Sequence, residues 1–483
     1  MTFAPRHNAP TPAFPASGGS PAAQNLGVLR LKTGAPQESV QNSKPCYQIM
    51  PNQQPAIEPT RRNFLAGAAK LTAAASAFST LAIPRSVHAG SGETLRVGLV
   101  GCGGRGTGAA IDALLADKQA QFVAIADTFA DRAASSLAEL KNTAEVADRV
   151  AVTPEHVFTD FNGYKQVVDN CDVVLLATPP HFRPEHFKYA VEAGKHCFVE
   201  KPVAVDVPGV RSVMETAKLA QEKGLAVVSG LCWRYEPGVR ETMRQILEER
   251  AIGDVVAIES SYNASGLWHR GDDPKWSRME YQVRNWLYHT WLSGDHILEQ
   301  AVHSLDKTAW LLGDVAPTQA MALGGRQQRI DPKYGNVFDH FAVFYEYPGG
   351  QHVYFTCRQQ DNCSVRVEER VLGTEGKAEV LANKLYDRAG KRKWAYRGSN
   401  PSMYRVEHQE MFASIRAGKP INNGHYMCNS TLIGLLGRTA AYTGGTVTWD
   451  QLMASQERLG PAEYSWTDVK EHSVAIPGQT VLA

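Results

Sequence analysis

Leu95-Arg96-Val97-Gly98-Leu99-Val100-Gly101-Cys102-Gly103-Gly104-Arg105-Gly106 opens as a short apolar strand and runs straight into glycines spaced G-x-G-x-x-G. A helix-like stretch, Thr107 to Leu115, follows, so the motif sits in a strand–turn–helix context. Gly101 permits the tight turn, Gly103 lets the backbone approach a pyrophosphate, and Gly106 lets helix and strand pack closely. Gly104 and Arg105 complete the turn, and the helix N-terminus offers N–H donors and a partial positive charge to phosphates. A second strand, Phe122-Val123-Ala124-Ile125-Ala126, ends in Asp127. An acid at that place accepts hydrogen bonds from the adenine ribose and repels a 2′-phosphate, which favours NAD over NADP.

Working outward, the wound pattern continues. Val173 to Ala177 is a continuous apolar run, as in a strand covered on both faces, and it ends in Thr178-Pro179-Pro180-His181. A helix pattern from Glu185 to Ala193 leads to the strand His196-Cys197-Phe198-Val199, which ends in Glu200-Lys201-Pro202. Ligands of such sheets bind beyond the carboxyl ends of the strands. Thr178, Pro179, His181, Glu200 and Lys201 are therefore assigned to the cofactor edge, beside Gly101, Gly103, Gly104, Arg105, Gly106 and Asp127.

The chain has 483 residues, too many for one ordinary core. The reading is α/β: a Rossmann-type parallel-sheet domain over 90–232, then an α+β domain with an open, mainly antiparallel sheet over 233–483. The net charge of +1 gives no sign of a nucleic-acid-binding surface. Eight cysteines lack any C-x-x-C pair, so neither a zinc knuckle nor a disulfide scaffold is expected.

Residues 1–59, rich in Pro, Gln, Ala, Ser and Asn, lack hydrophobic periodicity and are expected to be a disordered leader. Thr60-Arg61-Arg62-Asn63-Phe64-Leu65, a weakly apolar run to Ile83 and Val87-His88-Ala89 follow the order of charged region, apolar region and cleavage site. The twin arginines make 60–89 a twin-arginine export signal, preferred over a buried helix from Phe64 to Leu81. Its partner is the export machinery, and the mature protein is expected in the periplasm from about Gly90. Met50, eleven residues before Arg61, is the expected true start. No later stretch is long and apolar enough to span a bilayer.

In the second domain, Val255 to Tyr262 reads as a strand, and Phe338 to Tyr347 and Gln351 to Cys357 form a hairpin about Pro348-Gly349-Gly350. Strands from Ser364 to Val371 and Lys377 to Leu381 extend it. The face not covered by helices suggests a homo-oligomer. An aromatic and basic segment holding Trp268, His269, Arg270, Trp276, Tyr281, Arg284, Trp286, Tyr288, His289 and Trp291 suits the C–H faces and hydroxyls of a sugar. Arg234 and Tyr235, after Trp233, are placed at the mouth of the cleft.

Three stretches carry a family resemblance: GLVGCGGRGTG, ATPPHFRPEHFKYAVEAGKHCFVEKPV and GDHILEQAVHSLDKTAWLLG. Over about residues 94–450 the chain resembles the Gfo/Idh/MocA family of oxidoreductases, which implies an NAD(P)-binding domain and sugar, polyol or related substrates. The resemblance gives Lys201 to the substrate hydroxyl and the nicotinamide ribose. A cation there stabilises the charge developing on oxygen as hydride leaves carbon. It also puts an acid and a histidine four apart on one helix, here Glu299 and His303, although the family more often has Asp at the first position. Either Glu299 or His303 is then the base. Asp295 and His296 join Arg234, Tyr235, Trp286 and Tyr288 as substrate-binding candidates. A metal held by Asp295, His296, Glu299 and His303 is disfavoured, since one helix rarely supplies a coordination shell.

The resulting expectation is an NAD-dependent oxidoreductase of sugars or polyols. Outside the inner membrane no ordinary NAD pool recycles the cofactor, so it is expected to be tightly held. An NAD-dependent glycosidase working by transient oxidation and elimination is the alternative, and a non-catalytic sugar-binding protein with structural NAD is a third reading. NAD reduction by a sugar separates the last from the others.

Overall fold

A computed structural model describes residues 93–481, Asp468 excepted. The leader and export segment, residues 1–89, lie outside the described residues.

The first domain is a parallel sheet of β1 (Leu95–Val100), β2 (Ala120–Ala126), β3 (Val157–Phe158), β4 (Val173–Leu176), β5 (His196–Val199) and β6 (Val227–Ser229). Their order is β3-β2-β1-β4-β5-β6, with every pairing parallel. All residues of β4 and β5 are buried, as strands need to be when helices cover both faces. The order reverses between β1 and β4, which opens a crevice at their carboxyl ends.

The second domain is a nine-stranded sheet. Its strands are β7 (Val255–Ala264), β8 (Gln319–Gly325), β9 (His340–Glu346), β10 (His352–Gln359), β11 (Arg366–Gly373), β12 (Gly376–Glu379), β13 (Lys384–Asp387), β14 (Arg392–Ala395) and β15 (Val447–Thr448), in the order β14-β13-β12-β11-β7-β10-β9-β8-β15. Only β7 and β10 pair in parallel; the other pairings are antiparallel. β10 alternates exposed and buried residues, so one face meets the core and the other is open. Met321, Leu323, Phe344 and Tyr354 are exposed apolar residues of β8, β9 and β10.

The chain does not stay in the second domain after residue 400. The helix Met403–Arg416 inserts Met411, Phe412 and Ile415 into the core around β1, β2 and the helix Gly104–Ala116. Ile421 accepts a hydrogen bond from Val227, and Asn422 bridges to it in parallel, extending the first sheet. The helix Gly424–Thr443 then packs against the helix Val207–Glu222 so closely that a Cβ on Gly424 would lie 2.4 Å from that of Ala217.

Candidate active site

The glycine turn is shaped as a phosphate cradle. Gly101 has φ +97°, and a Cβ there would come within 2.6 Å of the backbone at Ala177 and Thr178. A Cβ on Gly106 would meet the Gly101 carbonyl at 2.0 Å, whereas Gly103 and Gly104 face open space. No side chain caps the helix Gly104–Ala116, so its first N–H groups remain available to an anion. Asp127 accepts the Cys102 N–H at 2.7 Å and the Phe129 N–H at 3.0 Å. Burial raises its carboxyl pKa, and those two N–H groups work against the rise. These residues fit a dinucleotide: a cradle without side chains for the pyrophosphate and a fixed carboxylate for the ribose.

The cleft above this turn measures about 450 Å³. From the first domain it takes Asp127, Phe129, Arg132, Phe161, Thr178, Pro179 and His186; from the second it takes Trp268, Arg270, Arg284, Trp286 and Glu299. Trp268, Arg270, Arg284 and Trp286, from the aromatic and basic segment assigned to a sugar, thus line the same cleft as Asp127, and Arg284 lies beside Phe129 and Asp131. Arg284 lies 3.9 Å from the Phe129 ring centroid, and Arg270 lies 4.2 Å from that of Trp268. Trp286 reaches the cleft. Tyr288 does not: it is buried, and its hydroxyl donates to the carbonyls of Leu267 and Trp268, anchoring the loop from behind.

At the other end, Lys201 follows β5 and Glu299 ends the helix His296–Glu299. The Lys201 ammonium donates to the Glu299 carbonyl and lies 3.6 Å from its Oε1. Glu299 and His303 were expected on one helix. They lie instead on two, because the helix ends at Glu299 and a second, Val302–Leu311, begins after Gln300 and Ala301. The carboxylate of Glu299 turns to Lys201, while its Oε2 and the His303 Nδ1 are buried without a partner. Burial, and then the positive charges of Lys201, Lys307 and Arg105, hold the His303 pKa well below the usual histidine value. The ring is therefore neutral at neutral pH.

Glu200 sits under this end. Arg105 donates to Glu200 and to Glu407 on the helix Met403–Arg416. Burial would raise the Glu200 pKa, but Arg105, Lys201 and Arg183 outweigh that and lower it. Arg105 borders the cleft, yet its guanidinium is engaged by two carboxylates rather than presented to a phosphate.

Five other candidates are placed away from the cleft. Arg234 is buried between Asp306 and Asp314, at 2.9 and 2.5 Å, against the Tyr426 ring, because the turn Cys232–Tyr235 points it into the domain junction. Tyr235 is buried beside it, its hydroxyl donating to Asn423 at 2.8 Å. Asp295 is fully buried with φ +74° and accepts from the His296 and Phe338 N–H groups and the Tyr442 hydroxyl. It is a structural knot in a strained turn. His296 is buried against Phe341. His181, also assigned to the cofactor, instead pairs through Nε2 with the Tyr464 hydroxyl at 2.8 Å. Burial brings its pKa to about 4. Phe129, Arg132, Phe161 and His186 were not singled out. All but Phe161 follow a strand end or a glycine turn already recognised; Phe161 follows β3, only two residues long.

The model of the oxidoreductase family with an NAD-binding Rossmann fold matches residues 95–230, and that of the GFO/IDH/MocA C-terminal domain matches residues 241–379. The chain belongs to the Gfo/Idh/MocA oxidoreductase family, and its first domain is that family's NAD-binding fold. Among similar proteins, 2,7-anhydro-N-acetylneuraminate hydratase of Escherichia coli (strain K12) is 28% identical over 180 residues, 37% of this chain and 44% of the relative. Inositol 2-dehydrogenase 3 of Saccharopolyspora erythraea is 28% identical over 261 residues, 54% of this chain and 65% of the relative. The chain thus spans about half the length of the curated relatives it matches. The structure of scyllo-inositol dehydrogenase from Lactobacillus casei with bound NAD(H) and scyllo-inositol superposes with a TM-score of 0.56 at 18% identity, covering 74% of this chain and 100% of that one. That likeness is one of fold.

Proposed function

We propose that the chain is an NAD-dependent oxidoreductase acting on a hydroxyl of a sugar, polyol or sugar derivative. The observation that carries this reading is the pairing of Lys201 with Glu299 beyond the carboxyl end of β5, with Glu299 Oε2 and His303 Nδ1 buried and unpartnered and the Lys201 charge acting on His303. Buried polar atoms without partners are rare and ask for an explanation, and a substrate hydroxyl is one. NAD, when bound, accepts the hydride. Lys201 stabilises the negative charge that develops on the substrate oxygen. His303, kept neutral by burial and nearby cations, takes the hydroxyl proton. Glu299 holds the ammonium in place. The name of the Saccharopolyspora erythraea relative supports a polyol or sugar substrate.

A second reading has support of its own: a redox-neutral cycle in which the cofactor is reduced and reoxidised without leaving. The second-domain residues that line the same cleft as Asp127 favour retention, and the Escherichia coli relative bears the name of a hydratase, a reaction without net oxidation. Oxidation of one sugar coupled to reduction of another, or transient oxidation that permits elimination of a glycosidic bond, would both use the same residues. Export through a twin-arginine signal to the periplasm belongs to this proposal, since a retained cofactor suits a space without an NAD pool. Self-association belongs to it as well, through the open face carrying Leu323, Phe344 and Tyr354.

The test is a screen of polyols, aldoses and glycosides with the purified protein, reading absorbance at 340 nm with and without added NAD and product formation by chromatography. Reduction of NAD by at least one polyol or sugar supports the oxidoreductase reading. Turnover on bound cofactor alone supports the redox-neutral cycle. Neither signal with any substrate would remove both.

A further inference from the structure

The last residues of the chain form a strap that no part of the reaction uses. After the short helix Trp449–Ala454, Leu459 donates its N–H to Asp206 at 2.9 Å. Gly460, φ +98°, passes so near His181 and Trp291 that a Cβ would lie 2.5 Å from one ring and 2.9 Å from the other. Tyr464 bonds to His181 and stacks on Phe161 with ring centroids 5.5 Å apart. Trp466 packs on Phe161 at 4.7 Å and on Phe129 at 5.5 Å. The strap then crosses to the second domain, where Met279 donates to the Thr467 carbonyl and Arg278 pairs with Glu471 at 3.2 Å. It is tied down again where Gly478 donates to the Thr443 carbonyl at 2.7 Å.

Phe129 and Phe161 are walls of the cleft beside Asp127, at the end where the adenosine of a dinucleotide lies. Phe129 is contacted both by Arg284 of the second domain and by Trp466. Trp466 thus touches both of these cleft-lining rings and Tyr464 touches Phe161, while neither strap residue lines the cleft itself. We propose that Tyr464 and Trp466 are positioning residues of the dinucleotide site: through Phe129 and Phe161 they keep the adenosine wall closed and slow release of the cofactor. The inference rests on the proposal that NAD is retained through the cycle. It adds the segment responsible.

The test is the release rate of NADH. Full-length protein is loaded with NADH, chased with excess NAD, and the loss of bound-NADH fluorescence is followed in the wild type, Trp466→Ala, Trp466→Phe and Tyr464→Ala/Trp466→Ala. Trp466 is 42% exposed, so its truncation leaves the cores intact, and a thermal melt verifies this. Trp466→Ala strips the indole from both Phe129 and Phe161, which corresponds to about tenfold faster release. Trp466→Phe, which keeps a ring on both partners, is expected within about threefold of the wild type. Release at the wild-type rate from both the alanine variant and the double variant would overturn the inference. A wild type that itself exchanges NADH within seconds would count against retention, while the ratio between variants would still decide the role of the strap.

Discussion

The Lys201 ammonium stands 3.6 Å from Oε1 of Glu299 and at the same time donates to that residue's backbone carbonyl. The two contacts join the residue two places after β5 of the first domain to a short helix of the second, so the cation is fixed between the two domains. Their side chains are only 15% and 16% exposed, so the attraction is less screened than at a surface.

Lys201→Met is expected to lower kcat by about 10² to 10⁴ while leaving NAD binding largely intact. His303→Asn should give a loss of the same order, and Glu299→Gln a smaller one, because the amide still accepts from the ammonium. Steady-state kinetics with the best substrate, alongside NAD titration, checks this. A Glu299→Gln loss exceeding that of His303→Asn would make the carboxylate the base.

Asp127 shares its end of the cleft with Arg132 and Arg270. Asp127→Ser removes the carboxylate that selects against a 2′-phosphate and leaves two guanidinium groups nearby. The expected result is weaker NAD binding by about tenfold and a gain in NADP binding. Isothermal titration with both dinucleotides measures the two changes. Unaltered discrimination would show that Asp127 does not set it.

Stability should fall on acidification through buried neutral histidines. Burial holds His186 and His289 at about 3, far below their ordinary value of 6.5. Below pH 6.5 the unfolded chain takes up protons that these folded rings refuse. Their contribution is therefore complete above pH 6.5 and is lost progressively toward their folded pKa values. The slope approaches about 1.4 kcal/mol per pH unit for each ring. His186 stacks on Tyr164 at 4.0 Å. His186→Phe keeps that stacking and should flatten urea-unfolding stability against pH between 6.5 and 4 by about that slope. An unchanged profile would contradict the assignment.

Much of the nucleotide half was legible in sequence because its demands are local. A strand, a turn needing φ > 0 at Gly101 and an acid after the second strand lie within one βαβ unit. β3 and β6, two and three residues long, leave too little pattern to read. The position of Met403–Arg416 within the first domain was hidden because its partners lie about three hundred residues away; Arg105 and Glu407 are 302 apart. Arg234 was misplaced for the same reason: the carboxylates that neutralise it lie 72 and 80 residues on. Asp295 looked available because the i, i+4 spacing implied a continuous helix. The positive φ and the break at Gln300–Ala301 exist only in the folded chain.

The open face of the second sheet carries Met321, Phe344 and Tyr354 in one cross-strand row and Leu323 in the next. Leu323→Lys together with Phe344→Glu should shift a homo-oligomer to monomer in light scattering, with secondary structure unchanged in circular dichroism. A wild type that is already monomeric would remove this part of the proposal.

The most direct measurement is the nucleotide content of the purified protein after gel filtration, read by absorbance near 340 nm and by chromatography of what denaturation releases. About one equivalent of NAD(H) per chain, reduced by a sugar or polyol in the wild type but not in Lys201→Met, is the expected result. An empty protein that neither binds added NAD nor reduces it with any sugar or polyol would contradict the account.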